Sequence, residues 1–187
     1  MTSTPLDRTL NASLIVAPVV YLIADVLYAV RGWDDPAAAV FHILGAVAYT
    51  VVVLRLVTLG SGRLAVALLL VGALGAAGNV AYGFNTIHVA LGDTDLVDAG
   101  GAATIIKPLG LFFPLTLLLA VAVLRPRGPA GVAPLLLVAG LAWPVAHIAN
   151  IGWLAVAVNL VLVAAFGAAA RGPLRTMPPA TAPVGHP

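Results

Sequence analysis

Long apolar runs separated by short polar stretches dominate the chain. They lie at about Leu10–Val30, Pro36–Val57, Leu64–Phe84 (with a possible continuation to Leu91), Lys107–Leu124, Val132–His147 and Gly152–Ala170. A helix needs about 20 apolar residues to cross the ~30 Å hydrocarbon core of a bilayer. Most of these runs reach or approach that length. The pattern therefore predicts an all-α, polytopic transmembrane bundle of six helices. The last two runs are short and meet at the tight "IANIG" turn, so one long broken helix is the rival reading there. Pro36 suits the first turn of the second helix, where a missing N–H costs nothing.

Composition agrees with this pattern. Hydrophobic residues make up 61% of the 187 and charged residues only 9%, against about 25% charged in a soluble domain. The charges also sort by loop. With six spans, the N-terminus, the second and fourth loops and the C-terminus share one side. That side carries Arg8, Arg55, Arg63, Arg125, Arg127, Arg171 and Arg175; the other carries Arg31 and Lys107 with Asp34, Asp35, Asp93, Asp95 and Asp98. Basic short loops mark the cytoplasmic side. Both termini are expected there, in a cell (plasma) membrane protein with one six-span domain over residues 1–171. Residues 172–187, "GPLRTMPPATAPVGHP", are rich in proline and are expected to be a disordered cytoplasmic tail. The first run is too long for a cleavable signal and is read as a span.

Several chemistries are poorly supported by inventory. There is no cysteine, which removes disulfides and thiolate metal sites. Ser3, Ser13 and Ser61 are the only serines, and all fall on or near the basic side, away from the histidines, so a Ser/His dyad is excluded. Asp93, Asp95 and Asp98 lack the spacing and closing glutamate of an EF-hand and read as a solvated loop face. The "NAS" sequon at Asn11 falls on the cytoplasmic side. Lys107 begins the fourth run of a six-span chain, so a retinal Schiff base is disfavoured; anion binding or snorkelling suits it better. The basic balance follows loop topology and does not point to nucleic acid.

What remains is a set of polar residues inside or beside the spans. Asp25 lies in the outer half of the first span, within the otherwise apolar "VVYLIADVLYAV". A charge at the bilayer centre costs about 2.5–3.5 kcal/mol even on the lenient insertion scale, so Asp25 is expected to face the bundle interior. Pro18, Tyr21, Asp25 and Tyr28 share one helix face by their spacing of 3, 4 and 3. His42, Gly45 and Tyr49 share one on the second span, Gly72, Gly75, Asn79 and Tyr82 one on the third, and Gly140, Trp143 and His147 one on the fifth. The glycines predict close helix approach. Pro114 and Pro144 leave the Gly110 and Gly140 carbonyls without their helical donors.

These positions predict an outward-facing polar pocket, floored by apolar packing, that binds a small or lipid-like ligand. Its expected lining is Tyr21, Asp25, Tyr28, His42, Asn79, Tyr82, Lys107, His147 and Asn150. The partners expected for Asp25 are Tyr28, His42, Asn79, Lys107 and Arg31. Asp25 and His42 are the candidates for acid–base chemistry. His88 sits near the interface and carries less weight. Trp33, Trp143 and Trp153 are expected to form an interfacial aromatic belt. The segment of about 85–106 is expected to fold as a short surface helix or lid. An echo links "LLLVGALGAAGNVAYGF" from Leu68 with "LLLVAGLAWPVAHIANIGW" from Leu135.

Other classes stay open at this stage: an accessory or structural membrane subunit, a proton-coupled transporter, or a cofactor protein. A cofactor would be haem b on paired imidazoles, or a divalent metal on Asp25, His42 and His147. Besides the bilayer, the partners considered are a second copy of the chain or a membrane subunit.

Overall fold

A computed structural model of the chain describes residues 4–172; the proline-rich tail lies outside them except for Gly172. Seven helices account for most of that length: α1 (Pro5–Arg31), α2 (Pro36–Leu59), α3 (Gly62–Ala90), α4 (Ile106–Gly110), α5 (Phe112–Leu124), α6 (Val132–Ile148) and α7 (Gly152–Arg171). A 3₁₀ turn, Gly101–Ile105, leads into α4. Among the described residues there is no strand.

The helices begin where local chemistry favours it. Thr4 caps α1 in a reciprocal box with Asp7, and Pro5 follows it. Asp35 caps α2 through a 2.7 Å bond from the Ala38 N–H, followed by Pro36. α3 continues through Ala90, the longer of the two extents the sequence allowed. Asn79 is therefore three turns from its end rather than one.

Five stretches are long and apolar enough to cross a membrane: α1, α2, α3, the combined Gly101–Leu124 segment, and α7. α6 is apolar but has 17 residues, about 26 Å at ~1.5 Å per residue. The bundle is thus that of an integral membrane protein, with five or six spanning helices.

The helices pack in a closed ring: α1 on α2, α2 on α3, α3 on α5, α5 on α6, α6 on α7 and α7 on α1, with α2 touching α5 across the middle. α6 and α7 are separate packed helices, so the single broken helix does not form. Asn150, at φ +54, makes the turn between them. Hydrogen bonds fix the two ends of the ring. The Asn11 side chain donates to the Ala170 carbonyl at one end, and the Trp33 indole donates to the Asn150 carbonyl at the other. The second, which carries the aspartate-rich 31–36 and 91–106 segments, is called the acidic end below.

Glycine sets how closely the ring closes. A Cβ on Gly75 would lie 2.7 Å from the Phe113 backbone nitrogen, and one on Gly152 2.7 Å from Ala29 Cα. A Cβ on Gly78 would overlap the Leu109 backbone. These contacts are backbone against backbone, so no rotamer change relieves them. Between them, α3 is held against α4 and α5, and α7 against α1. Below the polar residues the interior is filled by leucine, valine, alanine and aromatic side chains, including Leu14, Val52, Leu117, Leu136, Leu162 and Phe166.

The fourth span is not the continuous Lys107–Leu124 helix that the sequence suggested. It breaks at Leu111, between α4 and α5. Pro108 and Pro114 each remove a backbone donor around this point, and Gly110 has no side chain to stiffen it.

Gly75→Ala and Gly167→Ala should act in opposite directions. The first forces a Cβ into the α5 backbone and is expected to cost about 1–3 kcal/mol as overpacking. The second places a Cβ where nothing lies within 4 Å and should be neutral or stabilising by up to about 1 kcal/mol. Thermal unfolding midpoints of the purified protein in one lipid or detergent check both.

Candidate functional site

The polar residues near the acidic end form two groups, joined by aromatic rings. The first takes one residue from each of α1, α2 and α3. Asn79 donates its amide to the Gly75 carbonyl at 2.8 Å, which orients its Oδ1 as an acceptor. That oxygen accepts from the Tyr21 hydroxyl at 2.6 Å and lies 3.2 Å from His42 Nε2. Tyr21 Oη and His42 Nε2 are 2.8 Å apart. A carboxamide oxygen only accepts, so the proton of neutral His42 belongs on Nε2, an assignment made from its hydrogen bonds. Nδ1 is then a bare lone pair. It is buried, in a side chain 1% exposed, and has no hydrogen-bond partner.

The second group joins α1, α6 and α7. Asp25 is 0% exposed. Its Oδ2 accepts from the Asn159 amide at 2.5 Å, and its Oδ1 lies 3.4 Å from His147 Nε2. His147 Nδ1 donates to the Trp143 carbonyl at 3.0 Å. With Nδ1 committed, Nε2 of a neutral imidazole presents a lone pair to Asp25. The contact is attractive only with a proton between the two, carried on Nε2 as an ion pair or on Oδ1 as a carboxylic acid. At this separation neither Oδ1 nor Nε2 makes a hydrogen bond.

Aromatic rings connect the groups. Tyr28 stacks on Trp33 at 5.0 Å and meets His42 edge-on at 6.0 Å. Trp33 meets His147 edge-on at 5.7 Å, and Trp143 stacks on His147 at 4.0 Å. Tyr21 stacks on Phe113 at 5.5 Å, and Phe113 packs on Trp143 at 5.2 Å.

Above these groups lies a cavity of about 550 Å³. Of the nine residues expected to line a pocket, six do: His42, Asn79, Tyr82, Lys107, His147 and Asn150. Tyr21, Asp25 and Tyr28 are not in its lining. They stand behind it, fully or almost fully buried. Asn79 and His147, the polar residues of the internal echo, face the same space. Asn85 secures the expected lid. Its amide donates to Asp95 at 2.9 Å, and its Oδ1 accepts from the Leu96 N–H at 2.7 Å. This holds Asp95, Val97 and Asp98 in the cavity wall. The first residues of the segment, through Ala90, belong to α3; between there and the 3₁₀ turn it is irregular.

Three expectations are corrected. None of the partners proposed for Asp25 holds it: His42 and Asn79 turn to Tyr21, Lys107 pairs with Asp98, and Arg31 pairs with Asp35 at 3.7 Å. Asn159 and His147 take that place because α1 packs against α7, which carries α6 beside it. Second, the tryptophans are not a uniform belt. Trp153 is 65% exposed, but Trp143 is buried and Trp33 is hydrogen-bonded at the cavity wall. Third, Asp25, His42 and His147 do not form a metal cage. Among the described residues no three histidine, cysteine or acidic side chains gather as a metal requires.

Asn159 is the neighbour of Asp25 that sequence reasoning missed. It had a signal: it is the single polar side chain within the apolar Gly152–Ala170 run, at a depth from the acidic end like that of Asp25. No family model, no curated protein and no solved structure matches this chain.

The second group should be energetically coupled. Asn159→Ala leaves a buried carboxylate oxygen without its donor, with an expected loss of about 1.5–3 kcal/mol. Asn159→Ala combined with Asp25→Leu should cost less than the sum of the two single changes, because the first then removes a bond already absent. A double-mutant cycle on unfolding midpoints measures this; strict additivity would show that the two side chains do not interact.

Proposed function

We propose that this integral membrane protein binds a small or lipid-like ligand in the cavity at its acidic end. In this reading both termini are cytoplasmic and the cavity opens on the outer side of the plasma membrane. The observation that carries it is His42 Nδ1: a buried acceptor without a partner, on a residue in the wall of a 550 Å³ cavity. A buried polar atom left unpaired costs about 1–3 kcal/mol, and natural sites that tolerate the cost generally have a use for it. The volume falls in the usual range for small-molecule sites, about 300–1,000 Å³.

The two histidines have different parts. His42 is held from one side by Tyr21 and Asn79, which leaves Nδ1 to meet an O–H or N–H of the ligand and to take its proton where chemistry follows. His147 has Nδ1 committed to the Trp143 carbonyl and Nε2 turned toward Asp25 at 3.4 Å. It braces the wall. Asp25, enclosed by Asn159 and His147, ties α1 to α6 and α7 and does not touch the ligand. The charge distribution supports the orientation, with six arginines among the described residues at one end against Arg31 and Lys107 at the other.

Two measurements test this. Mass spectrometry of the purified protein should find a small molecule retained by the wild type. Its occupancy should fall about tenfold in His42→Leu, which removes the acceptor, and in Gly110→Leu, which fills the cavity. Equal retention in all three, or retention in none, defeats the binding reading. The absence of native cysteine allows single-cysteine labelling of intact cells. A membrane-impermeant maleimide should modify Thr94→Cys and spare Ser61→Cys; the reverse pattern would invert the topology.

A further inference from the structure

We infer that the ligand is a cationic amphiphile, an N–H-bearing ammonium headgroup on an apolar chain, and that it enters sideways from the bilayer between α4 and α6. This rests on the binding reading above and names the ligand class for the same cavity.

The side entrance follows from the broken fourth span. In the ring, every neighbouring pair of long helices is packed. At the acidic end this fails once. No Cα of α4 comes within 8 Å of one in α6, although α5, just past the break, packs on α6. The reason is local. The missing side chain at Gly78 lets the Leu109 backbone settle against α3, which draws α4 toward α3 and away from α6. On this side the cavity lining includes the apolar Gly110, Leu111 and Ile148, beside Lys107 of α4 and His147 of α6. Leu111 is 44% exposed and Ile148 67% exposed, and neither has a polar side chain. An apolar doorway at the end of a membrane helix admits a chain from lipid; water-soluble solutes have no preference for it.

The headgroup class follows from the polar wall. The charged groups around the cavity, histidines aside, are Asp34, Asp95, Asp98 and Lys107. Lys107 is ion-paired with Asp98, so Asp34 and Asp95 leave the wall with excess negative charge. His42 Nδ1, buried in that same wall, is an acceptor and needs a donor. Phosphate or carboxylate headgroups meet both features with the wrong sign. An ammonium satisfies both, and the aromatic side chains of Trp33, Tyr82 and Trp143 in the lining offer faces that favour a cation.

The test uses the full-length protein in lipid nanodiscs, with Trp153→Phe so that fluorescence reports on Trp33 and Trp143. Four probes separate the claims: dodecylammonium, dodecanol, dodecanoate and butylammonium. Dodecylammonium should bind about tenfold or more tighter than each of the others. Asp34→Asn, an exposed position with little bearing on folding, should erase much of the preference over dodecanol. Gly110→Leu, whose added side chain begins in open space, should weaken dodecylammonium binding about tenfold. If dodecanol or dodecanoate binds as tightly as dodecylammonium and Gly110→Leu still blocks it, the cationic class is wrong while the cavity reading survives. If butylammonium matches dodecylammonium, the bilayer entrance is wrong. If Gly110→Leu changes the binding of no probe, the cavity reading itself falls, and this inference with it.

Discussion

A carboxylate with no exposed surface, inside a bundle whose outer face is hydrocarbon, has to be held by side chains from other helices, because no water is there to do it. Asp25 meets that requirement through Asn159 of α7 and His147 of α6. The contact does more than neutralise a charge. It fixes which helices lie beside α1, and with them the turn at Asn150, the ring of Trp33 and the back wall of the cavity. The polar residues of α2 and α3 are then left to pair among themselves through Tyr21. That division is why His42 Nε2 meets Tyr21 and Asn79 while His147 Nε2 faces Asp25.

Backbone chemistry produces the space above this framework. Glycines at 75, 78 and 152 bring helices into backbone contact that any side chain would block. Prolines at 108 and 114 remove donors from the fourth span, and it breaks between them. Close approach on the α3 side and a break before α5 have one joint consequence: α4 packs on α3 and not on α6, beside the cavity at the acidic end. The cavity is therefore a product of small residues and missing N–H groups as much as of the polar side chains that line it.

Much of this was legible in the sequence. Run lengths located the helices because a bilayer imposes a minimum apolar length, and the structure agrees within a few residues at most boundaries. Helical spacing placed His42, Asn79 and His147 on inward faces, and the depth argument put them near one end. Pairing was less legible. Asp25 was expected to share its level with His42 and Asn79, but those two meet Tyr21, one turn away from Asp25 on the same helix. Asn159 was overlooked because a lone asparagine in an apolar run has no periodic companion. The break in the fourth span was visible only as a proline four residues beyond a glycine, a pattern that continuous membrane helices also tolerate.

The sequence by itself determined that this chain is a bundle of apolar helices, that its charges sort to opposite ends and that its interior polar residues collect toward the acidic one. Those properties are set by the cost of exposing backbone and charge to hydrocarbon, which acts on each segment separately. Only the tertiary structure decided which helix lies beside which. It thereby decided that Asp25 is enclosed by Asn159 and His147, that His42 Nδ1 is buried without a partner, and that α4 packs on α3 and not on α6. Those outcomes depend on side-chain shape and on hydrogen bonds between residues far apart in the chain, 134 positions in the case of Asp25 and Asn159. No local rule of period or composition encodes such a meeting.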